Sequence, residues 1–487
     1  METVGLSRGD PTYKRKALMV AVVAACLWGA TASLWSGVAS AQTPQKVYTR
    51  ADYTDWLTKY ANAKPDFKVG DVLTAKDIER MRPFVIPGYL DYLNFPDFKM
   101  RIVAPIDHTP IGKFQDCTEK YQPQVRLKPD GTMENYRCGQ PFNNAELKVG
   151  DPASGIKAGW NWNQKWMSYG LAQSNVIWIW VRFDGAPKHA PPTMIPPGNF
   201  MLLKPPEGWT LPTDFSPFYR GGGTFQRTLQ SNYEHLVLSR LANLDGGNLP
   251  GANGVEWKEI TGFYSPFDIR GTEFIIYRYT DPFRNDDAWA YVPTLRRVRR
   301  VSVETKYDSL LGTDHTLDDF YGYAGRTLET DWKFLGWKDV LCVCDPAKMY
   351  DHLYGPNGII PDEDWELRRQ IVLERIPKNP RHPYSSAIMF IDPQIWYDSF
   401  HVAFDHSEKL WKIFQWQWKW TETIPPPWDK YNKGVNTVTW QAVNDIDVQN
   451  KRGTIINAFG DGFPDVSSDL GMYQKRFDIN SLEEVHR

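Results

Sequence analysis

Apolar and polar positions alternate along most of the chain, most clearly in its last third. Residues 387–391, 399–404 and 410–420 read as a three-stranded meander, with turns at Asp392-Pro393-Gln394 and at residues 405–408. In the middle strand Phe400, Val402 and Phe404 face one way, and Ser399, His401 and Ala403 the other. In the third, Leu410, Lys412, Phe414, Trp416, Trp418 and Trp420 share a face opposite Trp411, Ile413, Gln415, Gln417 and Lys419. Each ring on that tryptophan face covers about 150–250 Å² when buried, so it lines either a core or a cavity. A final strand is predicted over 435–443, ahead of residues 445–459 and a polar tail.

The densest pattern upstream is Gly271 to Val303, two strands and a turn followed by a cationic segment. Phe274, Ile275, Ile276, Tyr277 and Tyr279 form the first strand, apolar on both faces. Asp281-Pro282 and Asn285-Asp286-Asp287 break it. Trp289 and Tyr291 then share one face of a second strand, with Ala288, Ala290 and Val292 on the other. Pro293 ends that strand or puts it at an edge. Arg296, Arg297, Arg299 and Arg300 follow, interrupted only by Val298. Residues 175–183 (NVIWIWVRF) read as a strand buried on both sides. Strands are also predicted over 98–103, 124–128 and 332–341.

Helical signals are few. Tyr53, Trp56, Leu57 and Tyr60 form one stripe at i, i+3, i+4 and i+7, which reads as a core-packed helix or as a lid over a cavity. A short helix is expected over 75–82, ending at Pro83, and a helical turn over 317–323. Residues 135–142 and 159–163 read as extended chain held by side-chain hydrogen bonds. Gly221-Gly222-Gly223 reads as a turn or bulge, since no strand leads into it in the dinucleotide manner and no Lys-Ser/Thr follows. Residues 190–206 hold six prolines and read as a linker or rigid loop.

The 487 residues divide into a leader (1–41), a Pro/Gly-rich region of helices and short strands (42–205) and a β region (206–487), the last two able to form one continuous domain. Lys14, Arg15 and Lys16 precede an apolar run, and Ala39-Ser40-Ala41 is a small-x-small cleavage site. Cleavage after Ala41 releases the chain into a periplasm. Lipidation at Cys26, within Val23-Ala24-Ala25-Cys26, and retention as an uncleaved anchor are the alternatives. A net charge of −2 gives no field for nucleic acid. Aromatics at 14 per cent, with 21 Trp, suit large β surfaces.

Four of the five cysteines follow Ala41, in a compartment that permits disulfides. Cys117 and Cys138 flank a Pro-Asp-Gly turn and are the preferred pair. Cys342 and Cys344 are two apart, a spacing that strains a bond between them, although four cysteines allow three pairings. No metalloprotease, nucleophile-elbow, phosphate-loop or dinucleotide motif occurs, and no metal or cofactor site is indicated. His401 and His406 read as exposed or satisfied strand histidines. Asp314, His315, Asp318 and Asp319 read as loop and cap residues, or as the acid–base set of an envelope hydrolase. The arginine run reads as an edge guard, or as a docking patch for an acidic partner or lipid head groups.

Trp289, Tyr291, Pro293 and Arg296–Arg300 together resemble the DUF1329 family, a bacterial family of outer-membrane lipoprotein-sorting-like proteins with a LolA/LolB-type fold. Further matches are Leu73-Thr74, Arg82-Pro83-Phe84 with Pro87-Gly88, Asn135-Tyr136 with Gly139-Gln140-Pro141-Phe142, and Asp151-Pro152 with Gly155. Trp160-Asn161, Gly312-Thr313-Asp314 with Asp318-Asp319, Tyr384, Ile391-Asp392 and Leu410-Trp411-Lys412 extend the likeness over nearly the whole mature chain. Cys138 departs from the pattern, which makes its disulfide a feature of this chain. The resemblance implies a mainly β fold: a curved antiparallel sheet, a half-barrel, wrapped around helices and enclosing an apolar cavity. It further implies a non-enzymatic periplasmic carrier of a lipid or other hydrophobic molecule, serving a resistance-nodulation-division type exporter and an outer-membrane protein. Phe274, Ile276, Trp289, Tyr291, Phe414, Trp416, Trp418 and Trp420 are the cavity candidates, and a structural envelope protein with a solid core is the remaining alternative.

Overall fold

The structure, a computed structural model, describes residues 46–187, 206–212, 215, 217–302 and 306–484. The leader over 1–41 and residues 190–205 of the proline-rich stretch lie outside the described residues. The alternating stretches build one sheet of sixteen strands. In chain order these begin with β1 (Val72–Thr74), β2 (Lys99–Val103), β3 (Gly170–Pro187) and β4 (Gly222–Val237). Next come β5 (Val255–Ser265), β6 (Thr272–Tyr279), β7 (Asp287–Val292) and β8 (Arg297–Val301). β9 (Thr330–Cys342), β10 (Asp364–Pro377), β11 (Ser386–Ile391) and β12 (Asp398–Phe404) follow. β13 (Leu410–Trp420), β14 (Val438–Asp447), β15 (Arg452–Ala458) and β16 (Asp461–Gly462) complete it.

The spatial order is β1-β2-β10-β11-β12-β13-β14-β15-β3-β4-β5-β6-β7-β8, with β9 also on β10 and β16 on β3. Among these strands β2 and β10 pair in parallel and the other pairs are antiparallel. β3 joins β4 on one side and β15 on the other, so strands from both sides of residue 205 share the sheet.

The sheet is curved and does not close. Residues 306–329 show why it must curve. Their Asp318 carboxylate lies 3.7 Å from Arg375 on β10, the Phe320 ring 5.3 Å from Tyr233 on β4, and the Ala324 carbonyl accepts from Arg278 on β6 at 2.6 Å. β10 and β6 are nine strands apart in a flat sheet, roughly 40 Å at the usual strand spacing. One short segment touches both only because the sheet wraps around it.

Among the described residues, four helices of seven residues or more accompany the sheet: α1 (Arg50–Lys59), α2 (Lys113–Tyr121), α3 (Pro152–Asn163) and α4 (Leu470–Arg476). On the outer face, α1 buries Tyr53 and Trp56 against Phe404 and Phe390. α4, in what reads as a polar tail, covers Ile260, Ile275 and Tyr291 with Tyr473 and Phe477. On the inner face lie α3 and residues 306–329. The half-barrel wrapped around helices is therefore present.

Four local expectations change. Residues 159–163 are not extended but helical, the last turns of α3. Asp151 caps its first N–H groups at 3.1 Å, with Pro152 in the first turn, and Gly155, Gly159 and Trp162 make a helical stripe facing β9. Leu410 joins Ile413 on the outer face, because the ladder with β12 takes an extra residue at Trp411. The predicted strand over 435–443 is β14, starting at Val438, and β15 occupies 452–458. Cys342 bonds to Cys344 across one buried strand end, despite the short spacing. Cys117–Cys138 is the other disulfide, with Cα atoms 5.6 Å apart.

Candidate functional site

The inner segment builds on a 3-10 turn, Leu317–Gly322, started by a capping box: Asp319 accepts from the Thr316 N–H at 3.1 Å and its hydroxyl at 2.7 Å. The turn sends its two acids one way and Phe320 and Tyr321 the other. Asp314, His315, Asp318 and Asp319 are 3, 2, 1 and 0 % exposed. Such burial requires partners. Asp314 accepts from Arg452 at 2.8 Å, and Tyr384 donates to Asp319 at 2.9 Å. His382 Nε2 lies 3.3 Å from Asp318, and His315 Nδ1 2.8 Å from Asp445. Desolvation would push Asp318 up, but Lys306, His382 and Arg375 together hold it well below the carboxylate range. Burial raises Asp445 against the pull of His315, and raises Asp314. His401 is fully buried beside Arg375; burial first and that guanidinium second keep it neutral.

Open volume lies where β6 meets residues 321–329. Four clefts share walls there. One of about 90 Å³ is lined by Lys165, Trp166, His235, Trp257, Arg278 and Tyr321. One of about 320 Å³ is lined by Tyr136, Trp160, Arg278, Tyr279, Phe283 and Arg326. One of about 350 Å³ is lined by Lys306, Asp318, Tyr323, Arg326, Glu329 and His382. The smallest, about 40 Å³, includes Phe274, Ile276, Trp257 and Arg278.

Arg278 lines three of the four, all but the 350 Å³ cleft. It forks onto Asp286 at 3.1 and 2.7 Å, donates to the Gly325 and Ala324 carbonyls, and lies 4.5 Å from the Trp257 ring centroid. These contacts fasten β6 to the inner segment. Beside it the Tyr233 hydroxyl donates to Glu259 at 2.5 Å, with His235 Nδ1 3.4 Å from the same oxygen. Each cleft thus combines aromatic faces with charged groups whose hydrogen bonds are largely satisfied.

The predicted cavity residues divide into three groups. Phe414, Trp416, Trp418 and Trp420 line the inner face of β13 but none of the four clefts. Trp416 stacks on Trp418 at 5.3 Å, Trp418 meets Tyr397 at 4.4 Å and Trp420 stacks on His108 at 5.0 Å. Phe274 and Ile276 line the smallest cleft. Trp289 and Tyr291 lie on the outer face with the residues under α4. Arg296, Arg297, Arg299 and Arg300 are exposed at β8, the last strand of the sheet, where Arg300 pairs with Asp287. Cys117 and Cys138 pack with Phe114, Trp166 and Ala242, three residues of the 90 Å³ cleft's wall. Sequence reasoning missed Lys165, Trp257, Arg278, Tyr321 and Tyr323. Arg278 left one trace: the single cation of β6, set among Ile276, Tyr277 and Tyr279.

Among solved structures, one described as an outer membrane lipoprotein-sorting protein domain from Vibrio parahaemolyticus is similar at 15% identity and TM-score 0.42, over 68% of this chain and 100% of that one. A DUF1329 family protein from Desulfovibrio piger matches at 15% and 0.40, over 67% and 96%. A LolA superfamily protein from Nitrosomonas europaea matches at 10% and 0.32, over 62% and 89%. No curated protein matches. The sequence model of DUF1329, a protein family of unknown function, matches residues 219–483, more than half of the chain. The chain belongs to the DUF1329 family.

Proposed function

We propose that this protein is an envelope carrier that binds a lipid or another hydrophobic molecule in the clefts around Arg278. The observation that carries this reading is the adjacency of the clefts: three share Arg278 and the fourth joins them through Tyr323 and Arg326, with Tyr136, Trp160, Trp257, Tyr279 and Tyr323 supplying apolar faces and cations set between them. Burying ligand surface there stabilises by about 25 cal/mol per Å² before ordering costs. The tryptophan face of β13 serves this reading as the rigid core behind the site.

Native mass spectrometry of protein purified from its own envelope, followed by organic extraction, tests the proposal. A near-stoichiometric hydrophobic molecule supports it. A clean apo mass with no uptake of added fatty acid, phospholipid or sterol sinks it. The finer reading is a periplasmic protein that serves a resistance-nodulation-division type exporter and docks through Arg296, Arg297, Arg299 and Arg300. It draws on family resemblance and on the exposure of those side chains. A hydrolase acting through His315 is disfavoured: Phe320, Phe414 and Trp416 ring the histidine, and it lines none of the clefts.

A further inference from the structure

Lys165, just beyond α3, has an unusual setting. Its Nζ lies 3.9 Å from the Trp162 ring centroid, 5.4 Å from that of Tyr397 and 5.9 Å from that of Tyr321. An ammonium has three donors. The one hydrogen bond found for this amine among the described residues runs to the Trp162 carbonyl, at 3.4 Å, and no carboxylate lies within ion-pair distance. The other charged groups of the cleft are already engaged. Arg278 is taken up by Asp286 and two carbonyls. Glu256 accepts from Gln164 and Arg240, and Glu259 from Tyr233. Asp398, on β12, is fully buried with neither carboxylate oxygen hydrogen-bonded, and burial pushes it well above the carboxylate range. Lys165 therefore lines the 90 Å³ cleft with no carboxylate in ion-pair contact among the described residues.

We propose that Lys165 anchors the anionic head of the cargo, a single carboxylate, so that the preferred ligand is a fatty-acid-like amphiphile. This rests on the reading that the clefts bind a hydrophobic molecule, and it names the class. A carboxylate supplies the missing counter-charge. The aromatic cage keeps the pair dry, and the apolar body continues along Tyr136, Trp160 and Phe283 in the adjoining cleft. A dianionic phosphate fits poorly, because Arg278 and Arg240 are already held by Asp286 and Glu256, which leaves Lys165, among the described residues, as the one cation without a carboxylate partner in a cleft that also holds Glu259. Burial, with Arg278 adding to it and Asp398 opposing, pulls Lys165 down to about 7. Binding the anion favours the ammonium, so association takes up protons.

The test is titration calorimetry with lauric acid and lauryl alcohol on the wild-type protein, Lys165→Met and Lys165→Arg, in two buffers of different ionisation enthalpy. Asp398, Tyr321, Tyr397, His235, Glu256, Glu259 and Arg278 face the same space and stay constant across the variants. The expected result is at least a tenfold preference for the acid and proton uptake near neutral pH. Lys165→Met abolishes both, bringing the affinity for the acid down to that for the alcohol, while Lys165→Arg keeps the preference without the uptake. Equal affinity for acid and alcohol in the wild type overturns the inference and leaves the carrier reading standing. So does laurate affinity unchanged in Lys165→Met. If neither probe binds the wild type, the carrier reading falls, and the inference with it.

Discussion

Replacing Gly155 by alanine sets two well-understood effects against each other. Gly155 sits inside α3, and alanine is the better helix former by about 1 kcal/mol. Against this, a Cβ at Gly155 would stand 2.0 Å from the Trp332 carbonyl oxygen on β9 and 2.5 Å from its carbon. Backbone cannot rotate away, so α3 must withdraw by about 1.5 Å to restore van der Waals distance. Trp162, 1 % exposed on the same helix, contributes about 4–6 kcal/mol by burial. A gap wider than about 1 Å forfeits at least half of its contacts, about 2–3 kcal/mol, and Ala158 loses contact alongside it. The net expectation is destabilisation by about 2 kcal/mol, with weaker ligand binding because α3 also carries Trp160, Trp162 and the approach to Lys165. Guanidinium unfolding followed by far-UV circular dichroism measures it. A Gly155→Ala protein as stable as the wild type, or more stable by the propensity term, would refute the close-approach argument.

The double replacement Cys117→Ser/Cys138→Ser opens a loop spanning 21 positions, and loop entropy puts the loss at about 3 kcal/mol; an unchanged unfolding midpoint would rule that out. Asp398 binds a proton in the folded state at pH values where the unfolded chain has released it, so its contribution is lost as pH rises through its raised folded pKa. Asp398→Asn should therefore flatten the fall in stability that sets in as pH rises above about 4, and parallel pH profiles for the two proteins would contradict this. Arg297→Glu/Arg299→Glu should weaken binding to vesicles containing phosphatidylglycerol, most at low ionic strength; equal retention by both proteins would leave the arginines as edge guards.

The strands were legible because each is short-range information: alternation within a strand, and Asp, Pro, Asn or Gly in the break. That logic found β6, β7 and the β11–β13 meander. It failed where a local pattern has two readings. Gly159-Trp160-Asn161-Trp162-Asn163 alternates like a strand, and only the cap at Asp151 and the small residues at 155 and 159 turn it into a helix. It failed again at Leu410, since a bulge leaves no residue signature. The site was least legible of all. Lys165 takes its cage from Trp162 nearby but from Tyr321 and Tyr397 far along the chain. Asp318 finds Arg375 and His382 only after the sheet has curved. No periodicity announces such meetings.

The position of β3 has a consequence for biogenesis. Its apolar run Val176–Val181 is buried on both faces and central to the sheet, yet one edge waits for β15, where Arg182 pairs with Arg452 some 270 residues later. Synthesis runs from the N-terminus, so a ribbon of Ile, Trp and Val with free backbone groups exists long before its neighbour does. Such a ribbon is a template for pairing with a second copy. The order of the chain thus makes the interval before the last strands arrive the period of greatest aggregation risk. Sequestering β3 during that interval, by a holding chaperone or by early pairing with β4, then governs the yield of folded protein more than final stability does.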